Sequence, residues 1–234
     1  NMTKVVEGQV EAFHERHFTE ANFVCLFIDA TYLPLRRNTV EREAVYIAIG
    51  ITTTGEKQIL DYQIAPTENG EVWSELLGGL VKRGIINVQL VVADGMVGLE
   101  SALERSYPQA KFQRCLVHMS RNIFKKVRVS DRQAVMSEFK QIHQATTKSE
   151  AQKVLDTFIT HWETSYSKMT KRLAETQNLL TFFDFPTSIR ASIYSTNLIE
   201  SFNKSIKRKT KAKEQFPNED ALDRFLVTQV LAYN

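Results

Sequence analysis

The sequence predicts an α/β fold, a sheet core interrupted by an all-helical insertion. Three observations predict it: two short apolar runs that each end in aspartate, a meander of strand-like segments between them, and a long stretch with only helical periodicity. With 234 residues, 43% hydrophobic and 24% charged, the chain is long enough for one large core or a core plus a lobe.

Residues from about 4 to 18 alternate apolar and charged positions, which suits a short amphipathic lead-in helix. Asn22 to Asp29 follows, rich in aromatic and β-branched residues and too short for a helix core. It reads as a strand buried on both faces and closed by Asp29. Ala44–Ile51 and Gln58–Ala65 are two further strands, separated by Thr52 to Gly55, which supplies the turn residues of a hairpin. From Asn69 to Arg83, Val72, Trp73, Leu76, Leu77, Leu80 and Val81 recur at helical spacing, and Gly84 is the expected stop.

Val88 to Asp94 is a second buried strand, ending in Asp-Gly, followed by a helix over about Val97–Arg105 and a short strand over about Ala110–Arg114. From Cys115 to Phe185 nearly everything reads helical, with Phe139, Ile142, Val154, Leu155, Phe158, Ile159 and Trp162 spaced for burial. After Pro186, two last helices are expected at about Asn197–Lys209 and Asn218–Tyr233. The expected organisation is a lead-in helix at 1–20, a first part of the core at 21–118, a helical insertion at 119–190 and completion of the core at 191–234.

Several function classes are excluded. The longest apolar run, Phe23–Ile28, is far short of the roughly 18 residues a membrane helix needs, so no membrane partner is expected. Two cysteines, one of them in a buried strand, do not make a disulfide framework and point to a reducing, cytoplasmic compartment. Neither a phosphate-binding Gly-Lys loop, a dinucleotide glycine fingerprint nor a Gly-x-Ser-x-Gly elbow is present. His14 and His17 are expected at the surface.

Asp29 and Asp94 each stand at the C-terminal end of a central strand, the edge of an α/β sheet where ligands gather. Hard divalent cations take oxygen ligands, and two of them about 3.5 to 4 Å apart require several carboxylates in a small space. A third acid is therefore expected, and Glu200 is the candidate. Each has a plainer reading: a turn acid after a strand for the aspartates, and a capping box over Asn197-Leu198-Ile199-Glu200 for the glutamate.

The surroundings of all three acids resemble one family. Phe27-Ile28-Asp29-Ala30-Thr31-Tyr32, Val92-Ala93-Asp94-Gly95 with Gly98-Leu99, and Gln113 to Asn122 are similar to consecutive blocks of Mutator-like bacterial insertion-sequence transposases, which are of the DDE type. Phe182 to Pro186, Ile189-Arg190 and Tyr194 to Asn203 resemble the block with that family's catalytic glutamate. The resemblance covers nearly the whole chain. It implies a ribonuclease-H-like mixed sheet flanked by helices, with an all-helical insertion before the last catalytic helix. It also implies that Asp29, Asp94 and Glu200 are the catalytic metal ligands, holding two Mg2+ or Mn2+ ions.

The implied function is cleavage of transposon-end DNA and joining of 3′-hydroxyl ends to target DNA, without a covalent enzyme intermediate. A working homodimer is expected because two ends are handled together. Alternatives are a non-catalytic DNA-binding remnant, or a structure-selective nuclease of the same fold. The sequence departs from the family at Met96-Val97, where a polar or basic residue is usual. A helix-turn-helix region, usual before the first aspartate, is not found, so the chain reads as a truncated one.

Asn203, Lys204 and Lys207 lie three, four and seven residues after Glu200 and so are expected on its helix face. Six cations and no acid fall between Lys204 and Lys213, Arg208 among them, a density that suits phosphate neutralisation or a solvated helix face. Arg121, Lys125, Lys126 and Arg128 form a second basic cluster suited to a phosphate backbone or to plain solvation. Cys115 and His118 have the spacing of half a zinc site, but no second pair follows, so zinc is not expected. The family shows this pair too, which implies a structural or DNA-contacting role. Trp162 reads as core before it reads as a base-stacking platform.

Overall fold

The computed structural model describes residues 2–19, 22–36, 40–66, 70–211 and 215–234. Helix α1 (Met2–Glu15) precedes strands β1 (Phe23–Arg36), β2 (Val40–Thr52) and β3 (Lys57–Ala65), then α2 (Gly70–Lys82), β4 (Leu90–Ala93), α3 (Leu99–Ser106) and β5 (Lys111–Arg114). The five strands form one mixed sheet in the order β3-β2-β1-β4-β5. Strands β1, β2 and β3 are an antiparallel meander. The bonds Lys111 N to Gln89 O and Cys115 N to Ala93 O advance by four residues on both strands, so β4 and β5 run parallel.

The β2–β3 turn closes where it was expected. Gly55 takes a φ of 88°, donating to Thr52 O, while Thr52 Oγ1 accepts from Glu56 N. Gly84 likewise ends the α2 region at a φ of 102°.

Asp29 does not close its strand. It is the seventh of fourteen residues in β1 and pairs with Ile47 of β2. The reason is the change of pattern after it. Leu26, Phe27 and Ile28 are fully buried in succession, as a strand covered on both faces must be, whereas Thr31, Leu33 and Leu35 alternate with more exposed neighbours. The second half of β1 is thus a one-sided ribbon that β2 accompanies to Arg36↔Val40.

Contacts among Cα atoms divide the chain into two compact units. The first comprises residues 1–91, 95–111 and 197–234, the second 92–94 and 112–196. In the first, Trp73 of α2 meets Tyr46 of β2 edge-on with ring centres 4.5 Å apart, and Leu76, Leu77 and Leu80 complete the helix's buried face. Two late helices finish this unit, α9 (Asn197–Thr210), which packs on β1, and α10 (Glu219–Tyr233), which packs on α1 and β3.

His14, expected at the surface, instead joins a buried polar network. Its Nδ1 lies 2.7 Å from Asp61 Oδ1, and Arg83 Nη2 donates to Asp61 Oδ2 at 2.5 Å. Arg83 Nη1 also donates to the His14 carbonyl at 2.8 Å, and Tyr62 OH donates to Asp223. The network ties α1, β3, the end of α2 and α10 together. His17 is exposed.

Burial alone pushes the His14 pKa down, but hydrogen bonds to Asp223 and Asp61 outweigh it and raise the value from 6.5 to about 9. A raised folded pKa stabilises fully below the unfolded value and is lost as pH rises through the folded one. The melting temperature of the wild type is therefore expected to fall more steeply between pH 7 and 10 than that of His14→Gln. Parallel slopes in thermal melts across that range rule this out.

The second unit is helical apart from the ends of β4 and β5. It contains α4 (Leu116–Lys126), α5 (Arg132–Gln144), α6 (Lys148–Trp162), α7 (Ser167–Glu175) and α8 (Thr187–Ile193), with short 3-10 turns between. Phe139 of α5 and Phe158 of α6 meet edge-on at 5.6 Å. Buried Gln113 ties β5 to the 179–182 segment, donating to Leu179 O and accepting from Phe182 N. Trp162 is core, as expected, and its Nε1 donates to Glu138.

Candidate active site

Helix α9 brings one of the sequence-derived residues, Asn203, against Asp29 and buries another, Glu200. Its buried positions Ile199, Phe202, Ile206 and Thr210 recur at helical spacing and anchor one face, and Glu200 and Asn203 fall within that face at 7% and 5% exposure. Asn203 Nδ2 donates to Asp29 Oδ2 at 2.8 Å. Asp29 itself is 9% exposed. Buried carboxylates on β1 and α9, two elements that pack together, and the amide that holds one of them are donor types that suit a hard cation.

The helix face differs from the expected one in its cations. Lys204, Lys207 and Arg208 are exposed while Glu200 and Asn203 are buried, because the apolar stripe that seats the helix takes the acid and the amide with it. Asn203 is therefore engaged with Asp29 and not turned outward alongside the lysines. Lys213 lies outside the described residues.

Asp94 directly follows β4 and belongs to the second unit, where it is half-buried. After it the chain passes Met96 and a strongly exposed Val97 to Gly98. Gly98 has a φ of 78° and precedes α3. A Cβ there would come within 2.5 Å of Gly70 Cα, so only glycine fits. Among the described residues no group of three or more His, Cys, Asp or Glu side chains is gathered as a metal cluster.

Cys115 and His118 sit at the start of α4 in the second unit. Cys115 is fully buried and caps the helix, its sulfur accepting from His118 N at 3.4 Å. The same sulfur accepts from Thr196 N and Thr196 Oγ1, both at 3.2 Å, and Thr196 Oγ1 lies 3.2 Å from His118 Nδ1. Burial pushes the Cys115 thiol up, but hydrogen bonds from His118 and Thr196 outweigh it and hold its pKa below the usual thiol range. Arg121, Lys125 and Lys126 are exposed on α4, and Arg128 follows it, also exposed.

Sequence reasoning missed two contributors. Thr196 gave no signal of its own, since its partner sulfur is 81 residues away. Thr31 was foreshadowed by the two-residue strand period, which sets it on the same side of β1 as Asp29.

The family model described as "Transposase, Mutator family" matches residues 1–233. The chain belongs to the Mutator family of transposases. It is similar to the transposase for insertion sequence element IS1201 of Lactobacillus helveticus, with 53% identity over 234 residues, all of this chain and 63% of that protein. It is also similar to the transposase for insertion sequence element IS905 of Lactococcus lactis, 51% identical over 234 residues and 60% of that protein. The transposase for IS256 in transposon Tn4001 of Staphylococcus aureus is 30% identical over 231 residues, 97% of this chain and 59% of that protein. The chain thus spans about three-fifths of the length of these family members. A solved Drosophila P element transposase strand transfer complex aligns over 95% of this chain and 52% of its own at a TM-score of 0.33 and 10% identity, too distant to support any argument. No described helix is long and apolar enough to cross a membrane.

Proposed function

We propose that this chain is the ribonuclease-H-like catalytic core of an insertion-sequence transposase, which cleaves the ends of its element and joins the freed 3′-hydroxyls to target DNA. The observation that carries the reading is buried Asp29, held by Asn203 of the helix that also buries Glu200, in a chain of the Mutator family. Asp29, Asp94 and Glu200 hold two divalent cations, Mg2+ or Mn2+. Bound there, the cations supply an activated nucleophilic oxygen and charge stabilisation of the leaving 3′-oxygen in an in-line displacement.

The chain's own residues do the rest. The Asn203 amide donates to the carboxylate of Asp29 and so fixes its orientation. Burial of Asp29 and Glu200 limits bulk water around the reacting phosphate and strengthens charge interactions there. Exposed Lys204, Lys207 and Arg208 on α9, with Arg121 and Lys125 on α4, contact the phosphate backbone. Residues 119–190 form the helical insertion, with the core at 21–118 and 191–234. The working complex is a homodimer on two transposon ends, acting in the bacterial cytoplasm.

Joining decides between a transposase and a structure-selective nuclease. Incubated with pre-cleaved end DNA bearing a 3′-hydroxyl and a target plasmid, the chain is expected to give covalently joined products. Cutting without joining identifies the nuclease instead. Binding of the same DNA is expected to weaken with salt, and replacing Lys204, Lys207 and Arg208 with Gln to reduce the slope of log affinity against log salt by about 2 to 3. An unchanged slope in fluorescence-anisotropy titrations removes these residues from the interface.

A further inference from the structure

The geometry around Asn203 assigns it a part in cation binding that the sequence did not suggest. A carboxylate only accepts hydrogen bonds, so the NH2 of Asn203 must face Asp29 Oδ2, and the carbonyl oxygen Oδ1 must point the other way. That Oδ1 is buried and has no hydrogen-bond partner. Thr31, two residues beyond Asp29 on the same side of β1, is 1% exposed, and its Oγ1 is also buried without a partner. Buried polar atoms in folded proteins are nearly always satisfied, so two orphaned oxygens, one on the residue that holds Asp29 and one on the same side of its strand, mark a place where something binds.

We propose that Asn203 Oδ1 is an oxygen ligand of the cation site, joining the carboxylates of Asp29 and Glu200, while its Nδ2 holds Asp29 in position. The proposal rests on the reading that Asp29 and Glu200 bind a divalent cation, and adds a ligand to it. Glu200 and Asn203 lie three residues apart on α9, hence on one side of it, and both are buried. Hard cations accept neutral carboxamide oxygens as readily as carboxylate ones. A neutral donor has a further merit, since it adds ligation without a third negative charge against Asp29 in the cation-free protein. The exposed lysines of the same helix are left free to meet phosphates.

The test is Mn2+ binding to the 234-residue chain without DNA, followed by loss of the free-ion electron paramagnetic resonance signal. Wild type, Asp29→Asn, Asn203→Leu and Asn203→Asp are compared, with thermal melts in the absence of metal to check folding. Asp29→Asn is expected to abolish binding and Asn203→Leu to weaken it at least about tenfold, while Asn203→Asp, which keeps an oxygen at the position but gives up the Nδ2 donor to Asp29, is expected to bind more tightly than Asn203→Leu. If Asn203→Leu binds like wild type while Asp29→Asn does not, Oδ1 holds only a water and the proposal fails, although the carboxylate reading stands. If wild type and Asp29→Asn both fail to bind, both readings fall. Should Asn203→Leu not fold, Asn203→Ala takes its place, and binding like wild type overturns the proposal.

Discussion

Asp29→Asn is expected to abolish both cleavage of transposon-end DNA and joining to target while leaving DNA affinity and its salt dependence unchanged. The substitution is nearly isosteric and keeps an acceptor oxygen for the Asn203 amide, so the 2.8 Å contact that seats α9 on β1 survives. What it removes is the charge. Loss of a supporting partner around a metal typically costs about 10- to 100-fold in affinity or activity, and loss of a ligand exceeds that. The phosphate contacts assigned to Lys204, Lys207, Arg208, Arg121 and Lys125 are all on exposed side chains outside this buried set. Binding and chemistry therefore separate in this variant. Gel-shift and cleavage assays on one preparation check it, and retained cleavage removes Asp29 from the chemistry.

The largest effect on stability is expected at Arg83. Its guanidinium and the Asp61 carboxylate form a 2.5 Å ion pair with both side chains 9% exposed. Arg83→Leu leaves Asp61 buried without its ion-pair partner, with His14 and the nearby Arg16 the remaining positive groups acting on it, and breaking a buried pair from one side costs about 3–5 kcal/mol. Because His14 is protonated at neutral pH, the loss should lie toward the lower end of that range at pH 7 and grow above pH 9. The double variant Arg83→Leu with Asp61→Leu should lose less than Arg83→Leu alone, since no uncompensated charge remains. Urea denaturation of the three proteins measures this. A double variant less stable than the single one would mean that the network contributes net attraction and not merely compensated burial.

Much of this was legible in the residues. The two-faced burial of Leu26 to Ile28, the Gly55 turn, the Trp73 helix and the helical run after Cys115 all follow from local spacing, which burial enforces in strands and helices alike. The family resemblance singled out Asp29 and Glu200, and the structure buries both. What was not legible depended on long-range pairing. Strand β1 outlasts Asp29 because β2 accompanies it, a fact no local pattern announces. His14 looked like a surface residue because its partners Asp61 and Asp223 are distant in sequence. Asn203 was grouped with Lys204 and Lys207 by their helical spacing from Glu200, whereas the apolar stripe of α9 buries Asn203 and leaves the lysines exposed.

Divalent-cation binding measured together with end cleavage, for the wild type and for Glu200→Gln, tests the central claim most directly. Calorimetry in the presence of pre-nicked end DNA is expected to show Mg2+ or Mn2+ binding by the wild type, with cleavage that chelation stops, and loss of both in Glu200→Gln. A wild type that takes up no cation with DNA present, and that the substitution leaves unchanged, would contradict it and make the chain a DNA-binding member of its family without the chemistry.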